Sequence, residues 1–183
     1  MFDQLIDIIK KDKRIWEKFQ NCLIERELKS KTVLLNENQV ATHIFFIKEG
    51  CLRESFNKEG KDITFQFFFE GQAVASMDSF INNTPSLFSI ESIEPSVIYS
   101  IKKTDFDEML KTIPEFNETF QKFVFQRFSH YSHLFLSRIK DTPQERYNEL
   151  LQNHPEIIKR VPQHFIASYL GITSVSLSRI RNR

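Results

Sequence analysis

The sequence predicts an α+β protein: an amino-terminal antiparallel β-roll of jelly-roll type flanked by helices, then one long helix, then a small helical domain ending in a helix-turn-helix. Three observations predict it. Residues 31–101 hold short β-branched or aromatic runs separated by turn residues, the spacing of an antiparallel barrel or roll. Residues 114–139 carry apolar side chains every three or four positions, which is a helical stripe. Residues 163–180 place a small residue, a glycine and five apolar residues where two crossing helices need them. The expected division is a roll domain over 1–112, a helix over 113–140 and a helical domain over 141–183.

Residues 1–30 read as helical, with Leu5, Ile6, Ile8 and Ile9 followed by Ile15, Trp16 and Phe19 between Lys and Asp. Strands are expected at Thr32–Leu35, Ile44–Ile47, Cys51–Phe56, Ile63–Phe69 and Val97–Ile101. Turns at Lys48-Glu49-Gly50, Asn57–Asp62 and Glu70-Gly71 separate three of them. Thr104, followed by Asp105 and Asp107, predicts the capped start of a short helix. Pro114 opens the long one. Its stripe runs Phe116, Phe120, Phe123, Val124, Phe128, Tyr131, Leu134, Phe135 and Ile139, and a stripe this long between two modules predicts pairing with its twin over 115–139. Thr142-Pro143 starts the last domain.

The helix-turn-helix is read from its turn. Gly171 follows the first helix, where a left-handed backbone is needed, and Ala167 sits where the second helix crosses. Ile166, Leu170, Ile172, Leu177 and Ile180 lock the crossing, and Thr173 or Ser174 caps the second helix. With Leu177 and Ile180 facing inward, Ser174, Val175, Ser178 and Arg179 face outward near the helix start and are expected to read base edges in a major groove. Arg179 is the candidate for a guanine. Gln163, His164, Thr173, Ser176 and Arg181 are expected at phosphates. Double-stranded DNA is therefore the expected partner.

Charge agrees with that reading. Residues 138–183 hold eight Lys or Arg against four Asp or Glu, whereas the remainder holds 17 against 20. A basic end on a mildly acidic body suits a phosphate-binding module attached to a separate domain. No apolar stretch approaches the ~20 residues of a membrane span, so no membrane partner is expected. Met1–Asp7 carries acids where a secretory signal carries Lys or Arg, so a cytoplasmic location is expected. Cys22 and Cys51 lie far apart in no metal-like spacing and read as structural thiols.

With these elements in place, the chain from about Leu28 to Arg181 resembles the cyclic-AMP receptor protein / fumarate-nitrate regulator (CRP/FNR) family of transcription regulators. The resemblance rests on His43–Arg53, a strand–turn–strand ending at Gly50, on Gly60-Lys61-Asp62-Ile63-Thr64, and on Phe69-Glu70-Gly71-Gln72. It rests most on Leu170-Gly171-Ile172-Thr173 followed by Leu177-Ser178-Arg179-Ile180. It implies a cyclic-nucleotide-binding-like sensor domain, a homodimer joined through the long helix, and a palindromic DNA target.

The sensor departs from the family's cyclic-nucleotide pattern, a Gly-Glu pair followed about ten residues later by Arg-Ser. Ser76 stands where the Glu belongs and Ser86 where the Arg belongs, and no arginine occurs from Gln72 to Ile101. Without a fork-shaped cation a cyclic phosphate loses its main charge-assisted contact, so the sensor is degenerate and tight cyclic-AMP binding is not expected. A pocket is expected among Phe65, Phe67, Ser76, Met77, Ser86 and Phe88, suited to a small, largely apolar effector or filled by its own phenylalanines. Two cysteines cannot hold the four-cysteine cluster of oxygen-sensing members, and His43 alone does not make a haem or metal site.

Catalysis is not expected. A roll-type metal enzyme needs two or three histidines and a carboxylate, whereas the strand region contains only His43. His130 and His133 on the long helix lack an evident third ligand. No phosphate-cradling glycine loop or nucleophile elbow is present. No cofactor or metal is expected. The rival reading is a sensor or scaffold working through protein contacts with a vestigial helix-turn-helix. It is left room by a single firm base-reading side chain, Arg179, and by a chain that stops at Arg183.

Overall fold

The computed structural model describes residues 2–182, and of residues 2 and 3 only the backbone. Met1 and Arg183, the outer ends of the expected first and last domains, lie outside the described residues. Two short helices, α1 (Phe2–Lys10) and α2 (Lys13–Phe19), lead into the roll. Asp12 caps α2 by accepting from the backbone N–H of Arg14 and Ile15.

The roll is two antiparallel four-stranded sheets. The first runs in the order β1 (Ile24–Leu28), β8 (Ser96–Lys102), β3 (His43–Glu49) and β6 (Ala73–Val74). The second runs β2 (Val33–Leu35), β7 (Ser89–Ser92), β4 (Leu52–Lys58) and β5 (Lys61–Phe68). Strand β1 corrects the helical reading of residues 1–30. Its sequence, Ile-Glu-Arg-Glu-Leu, is rich in helix formers, but it pairs along the edge of β8 with its first four residues exposed, so tertiary pairing overrides propensity. A short helix, α3 (Met77–Asn82), also interrupts the roll, where no element was expected. Gly50 turns β3 into β4 at φ +102°, and a Cβ there would fall inside the Ser96 side chain, so no other residue fits.

The core shared by the roll and its flanking helices is dominated by rings. Phe46, Phe68, Phe80, Phe106 and Phe116 are fully buried with Ile9, Phe19 and Ile98. Phe106 meets Phe80, Phe116 and Phe120 edge-on at 5.0–5.7 Å, the geometry aromatic quadrupoles favour. Phe106 belongs to α4 (Lys103–Thr112). Its N-cap is Lys102, two residues before the expected Thr104, and makes no side-chain cap. The long helix α5 (Pro114–Lys140) then leaves the roll, with Phe116 buried and Phe120 and Phe123 packed on the roll.

Four helices complete the chain: α6 (Pro143–Asn153), α7 (Pro155–Arg160), α8 (Gln163–Leu170) and α9 (Ser174–Arg181). A full capping box of Thr142 and Glu145 starts α6. This domain has no separate core. Tyr147, Leu150, Ile157, Val161 and Ile166 pack in one cluster with Cys51, Phe67, Phe69 and Ile93 from the outer side of the second sheet.

Candidate nucleic-acid interface

The turn between α8 and α9 is built as its sequence requires. Gly171 adopts φ +70°, and the backbone N–H of Ile172 closes on Ala167 O at 3.0 Å. The nearest atom to a Cβ at Gly171 would be 3.6 Å away, so glycine is required by its dihedral and not by crowding. Ile166, Ala167, Leu170 and Leu177 are buried, and Ile172 and Ile180 pack against them. Thr173 caps α9, its hydroxyl accepting from Ser176 N at 3.1 Å.

That packing fixes which face of α9 is free. Ser174, Val175, Ser178 and Arg179 are all exposed, Val175 at 62%. Gln163 and His164 lie exposed at the start of α8, as do Thr173 and Arg181, whereas Ser176 is half-buried and joined to Thr173. The His164 ring rests against Phe165, with centroids 4.0 Å apart. Neither Arg179 nor Arg181 forms an ion pair among the described residues.

Other basic groups of this end are structural. Arg138 donates to Tyr169 O, and Arg146 donates to Asp141 O and Leu170 O at 2.5 and 2.9 Å. Both cations sit at the carbonyl end of α8, where its dipole is negative. Arg160 pairs with Glu70 and Glu94 of the roll. The charge bias seen in the sequence is thus divided between a free face and internal fastening.

The roll meets this domain through Arg53, which is 4% exposed. Its guanidinium pairs with Asp62 at 2.5 Å and Glu91 at 2.5 Å, donates to Thr64 at 2.7 Å, and stacks on the Phe165 ring of α8 at 4.0 Å. Beside it, Thr64 N donates to Ser168 Oγ at 3.0 Å. Sequence reading missed this hub, because an Arg within a strand reads as a solvent-facing residue.

The expected pocket divides. Ser76 and Ser86, at the two departure positions, are both buried and bond to each other at 2.9 Å. Phe65 and Phe88 meet edge-on at 5.1 Å. Met77 borders a residual cavity of about 30 Å³ between the roll and α5, room for little more than a water. Phe67 turns to the opposite side of its strand and packs on Tyr169. Glu54, unremarked in the sequence, lines that same cavity and is fully buried. Burial pushes its carboxyl up to about 8, against the opposing pull of Arg127 and of the Tyr131 hydroxyl 3.4 Å away. Among the described residues no group of three His, Cys, Asp or Glu is placed to hold a metal ion. His130 bonds to Gln66 instead, and His133 is exposed.

A roll that ends in a long helix and hands over to a helix-turn-helix defines a class of protein, and the comparisons agree with it. Residues 25–113 match the cyclic nucleotide-binding domain family. The chain as a whole has the fold of the CRP/FNR family. A protein from Eubacterium rectale described as a transcriptional regulator of the crp/fnr family superposes with a TM-score of 0.76 at 19% identity, over 93% of this chain and 82% of that one. FixK2 from Bradyrhizobium japonicum gives 0.74 at 15% identity, over 87% and 83%. A CooA mutant from Carboxydothermus hydrogenoformans gives 0.70 at 18%, over 98% and 83%. No curated protein sequence matches the chain. No helix among the described residues is long and apolar enough to cross a membrane.

Proposed function

We propose that this chain is a DNA-binding transcription regulator of the CRP/FNR kind, acting in the cytoplasm as a homodimer on a palindromic site, without catalysis and without cyclic AMP. The observation that carries the reading is the outward face of α9. Ser174, Val175, Ser178 and Arg179 are open to solvent on a helix whose other side is locked, and Arg179 forms no ion pair among the described residues. In this reading those four side chains reach base edges, Arg179 toward guanine, while Gln163, His164, Thr173, Ser176 and Arg181 meet phosphates.

The dimer is supported by α5. Phe125, Phe128, Phe135 and Ile139 are each at least 66% exposed and recur at intervals of three, seven and four. Four large apolar groups on one helical seam are left without a partner in a single chain. Phe125 was not part of the expected stripe, and Phe116, Phe120 and Phe123 of that stripe serve the roll. The absence of cyclic AMP from the mechanism is supported by the bonded Ser76–Ser86 pair. Two neutral hydroxyls occupy the places of the cation and carboxylate that hold the ligand elsewhere in the family.

Selection of duplexes from a random pool tests the reading. An inverted repeat with half-sites about one helical turn or a multiple apart is expected. Arg179→Ala is expected to lose the preference for the selected site, by roughly 10- to 100-fold, while keeping salt-sensitive binding to any duplex. Failure to enrich any sequence would favour the scaffold reading and overturn this one.

A further inference from the structure

The cavity between the roll and α5 has room for little more than a water, but a larger one lies outside it. A cleft of about 380 Å³ opens between β5, α5 and the helix-turn-helix domain, walled by the rings of Phe67, Phe69, Phe123 and Tyr169. Its size is that of a small-molecule site. At its floor lies Gln66, 7% exposed, whose carbonyl oxygen has no hydrogen-bond partner among the described residues. The carboxamide orientation is fixed by its neighbours. Its Nε2 lies 3.3 Å from Phe67 O, an acceptor, and 3.3 Å from His130 Nε2. Reversal would set two oxygens together. His130 therefore accepts and is neutral, consistent with burial and Arg127 holding its imidazole below the usual range. A buried acceptor without a donor costs ~1–3 kcal/mol, which a ligand N–H would recover on parting the side chains that cover this oxygen.

The rest of the lining narrows the chemistry. Arg127 reaches the cleft with no carboxylate in ion-pair range among the described residues. Its face stacks on Phe68 and Tyr131 and one N–H donates to Tyr131 Oη, so its remaining donors suit an oxygen. With His130 neutral and Glu156 at the wall, the cleft does not suit a polyanion such as a nucleotide phosphate.

We propose that this interdomain cleft binds a small planar heteroaromatic ring presenting an N–H donor to Gln66 and an oxygen to Arg127, the pattern of an oxopurine or oxopyrimidine. The ring stacks among the four aromatic walls and touches both domains, Phe123, Arg127 and Gln66 on one side and Ile157 and Tyr169 on the other. Its binding fixes the helix-turn-helix domain against the roll. The effect on DNA rests on the function proposed above; the binding itself does not.

Calorimetry of the full chain with xanthine and uracil, without DNA, tests the binding separately. At least one is expected to bind saturably, and benzene, which lacks both polar groups, more than tenfold more weakly. Gln66→Leu is expected to weaken binding at least tenfold in a chain that still unfolds cooperatively, since it removes the unpaired acceptor. Gln126→Trp, filling the cleft from an exposed position on α5, is expected to block it, whereas Ser86→Ala, at the buried Ser76–Ser86 pair and not in the cleft lining, leaves it unchanged. No binding of either base, or binding that survives both cleft substitutions, overturns the proposal. If binding holds while DNA selection fails, the cleft stands and the regulator reading falls.

Discussion

The two sides of the β2–β7–β4–β5 sheet are built from adjacent residues and meet opposite problems. On the inner side Leu52, Glu54 and Phe68 face the roll core and α5. On the outer side Cys51, Arg53, Phe67 and Phe69 face the helix-turn-helix domain. Both sides are buried, and each buries one ionisable residue of β4. The Arg53 guanidinium is met by Asp62, Glu91 and Thr64, whereas burial holds Glu54 toward its neutral form. The outer side is thus an ion-paired joint between domains, and the inner side a sealed interior.

Breaking the joint at its centre gives the largest effect. Arg53→Ala leaves Glu91, only partly exposed, without its cation, and removes the stack on Phe165. Loss of one partner from a buried pair costs ~3–5 kcal/mol. Urea denaturation is expected to show a loss of that size, with the helix-turn-helix domain more open to proteolysis than the roll. A loss below about 1 kcal/mol, with both domains equally protected, would show that the joint does not hold them.

The inner side is broken by pH. The Glu54 carboxyl keeps its proton to about pH 8 in the folded chain, against an ordinary value of 4.5. Between those values the folded state binds more protons than the unfolded state, so stability falls as pH rises. The contribution is complete below pH 4.5 and lost as pH passes 8. Glu54→Gln is expected to flatten this slope and to be the more stable protein at pH 8, by on the order of 3 kcal/mol. Thermal midpoints of the two proteins at pH 5 and pH 8 decide it, and parallel curves would mean that the carboxyl is ionised in place.

How much of this was legible follows the same division. The run Phe65-Gln66-Phe67-Phe68-Phe69 does not alternate, and a strand that fails to alternate is covered on both sides. The sequence thus held the sign of an outer partner, though not its identity. The helix-turn-helix was legible because a dihedral, a crossing and a cap each restrict residue type locally: Gly171, Ala167 and Thr173. Arg53 and Glu54 were not, because the groups that meet them, Glu91 for the one and Tyr131 of α5 for the other, are distant in sequence. Strand β1 was misread because edge pairing leaves no local pattern. The stripe of α5 was visible as a helix, but which rings face the roll and which stay bare depends on where the helix leaves the roll.

The smallest expected effect lies at the rim of the outer joint. Arg160 pairs with Glu70 and Glu94 and covers the Phe69 ring at 5.1 Å. The Arg160 hydrogen bonds hold the Glu70 carboxyl down at about 2, aided by Gly50 N–H at 2.8 Å. Its folded-state value is lowered, so its contribution is present above pH 4.5 and lost on acidification toward pH 2, the reverse of Glu54. Solvent screens the pair, since 42% of the Glu70 side chain is exposed, and Arg160→Ala is expected to cost only ~1 kcal/mol. That cost should shrink in 1 M salt, where the screening length falls to ~3 Å, whereas the cost of Arg53→Ala should hardly change. Equal salt sensitivity of the two variants in the same urea titrations would place Arg53 in water and undo the distinction between a sealed centre and a wet rim.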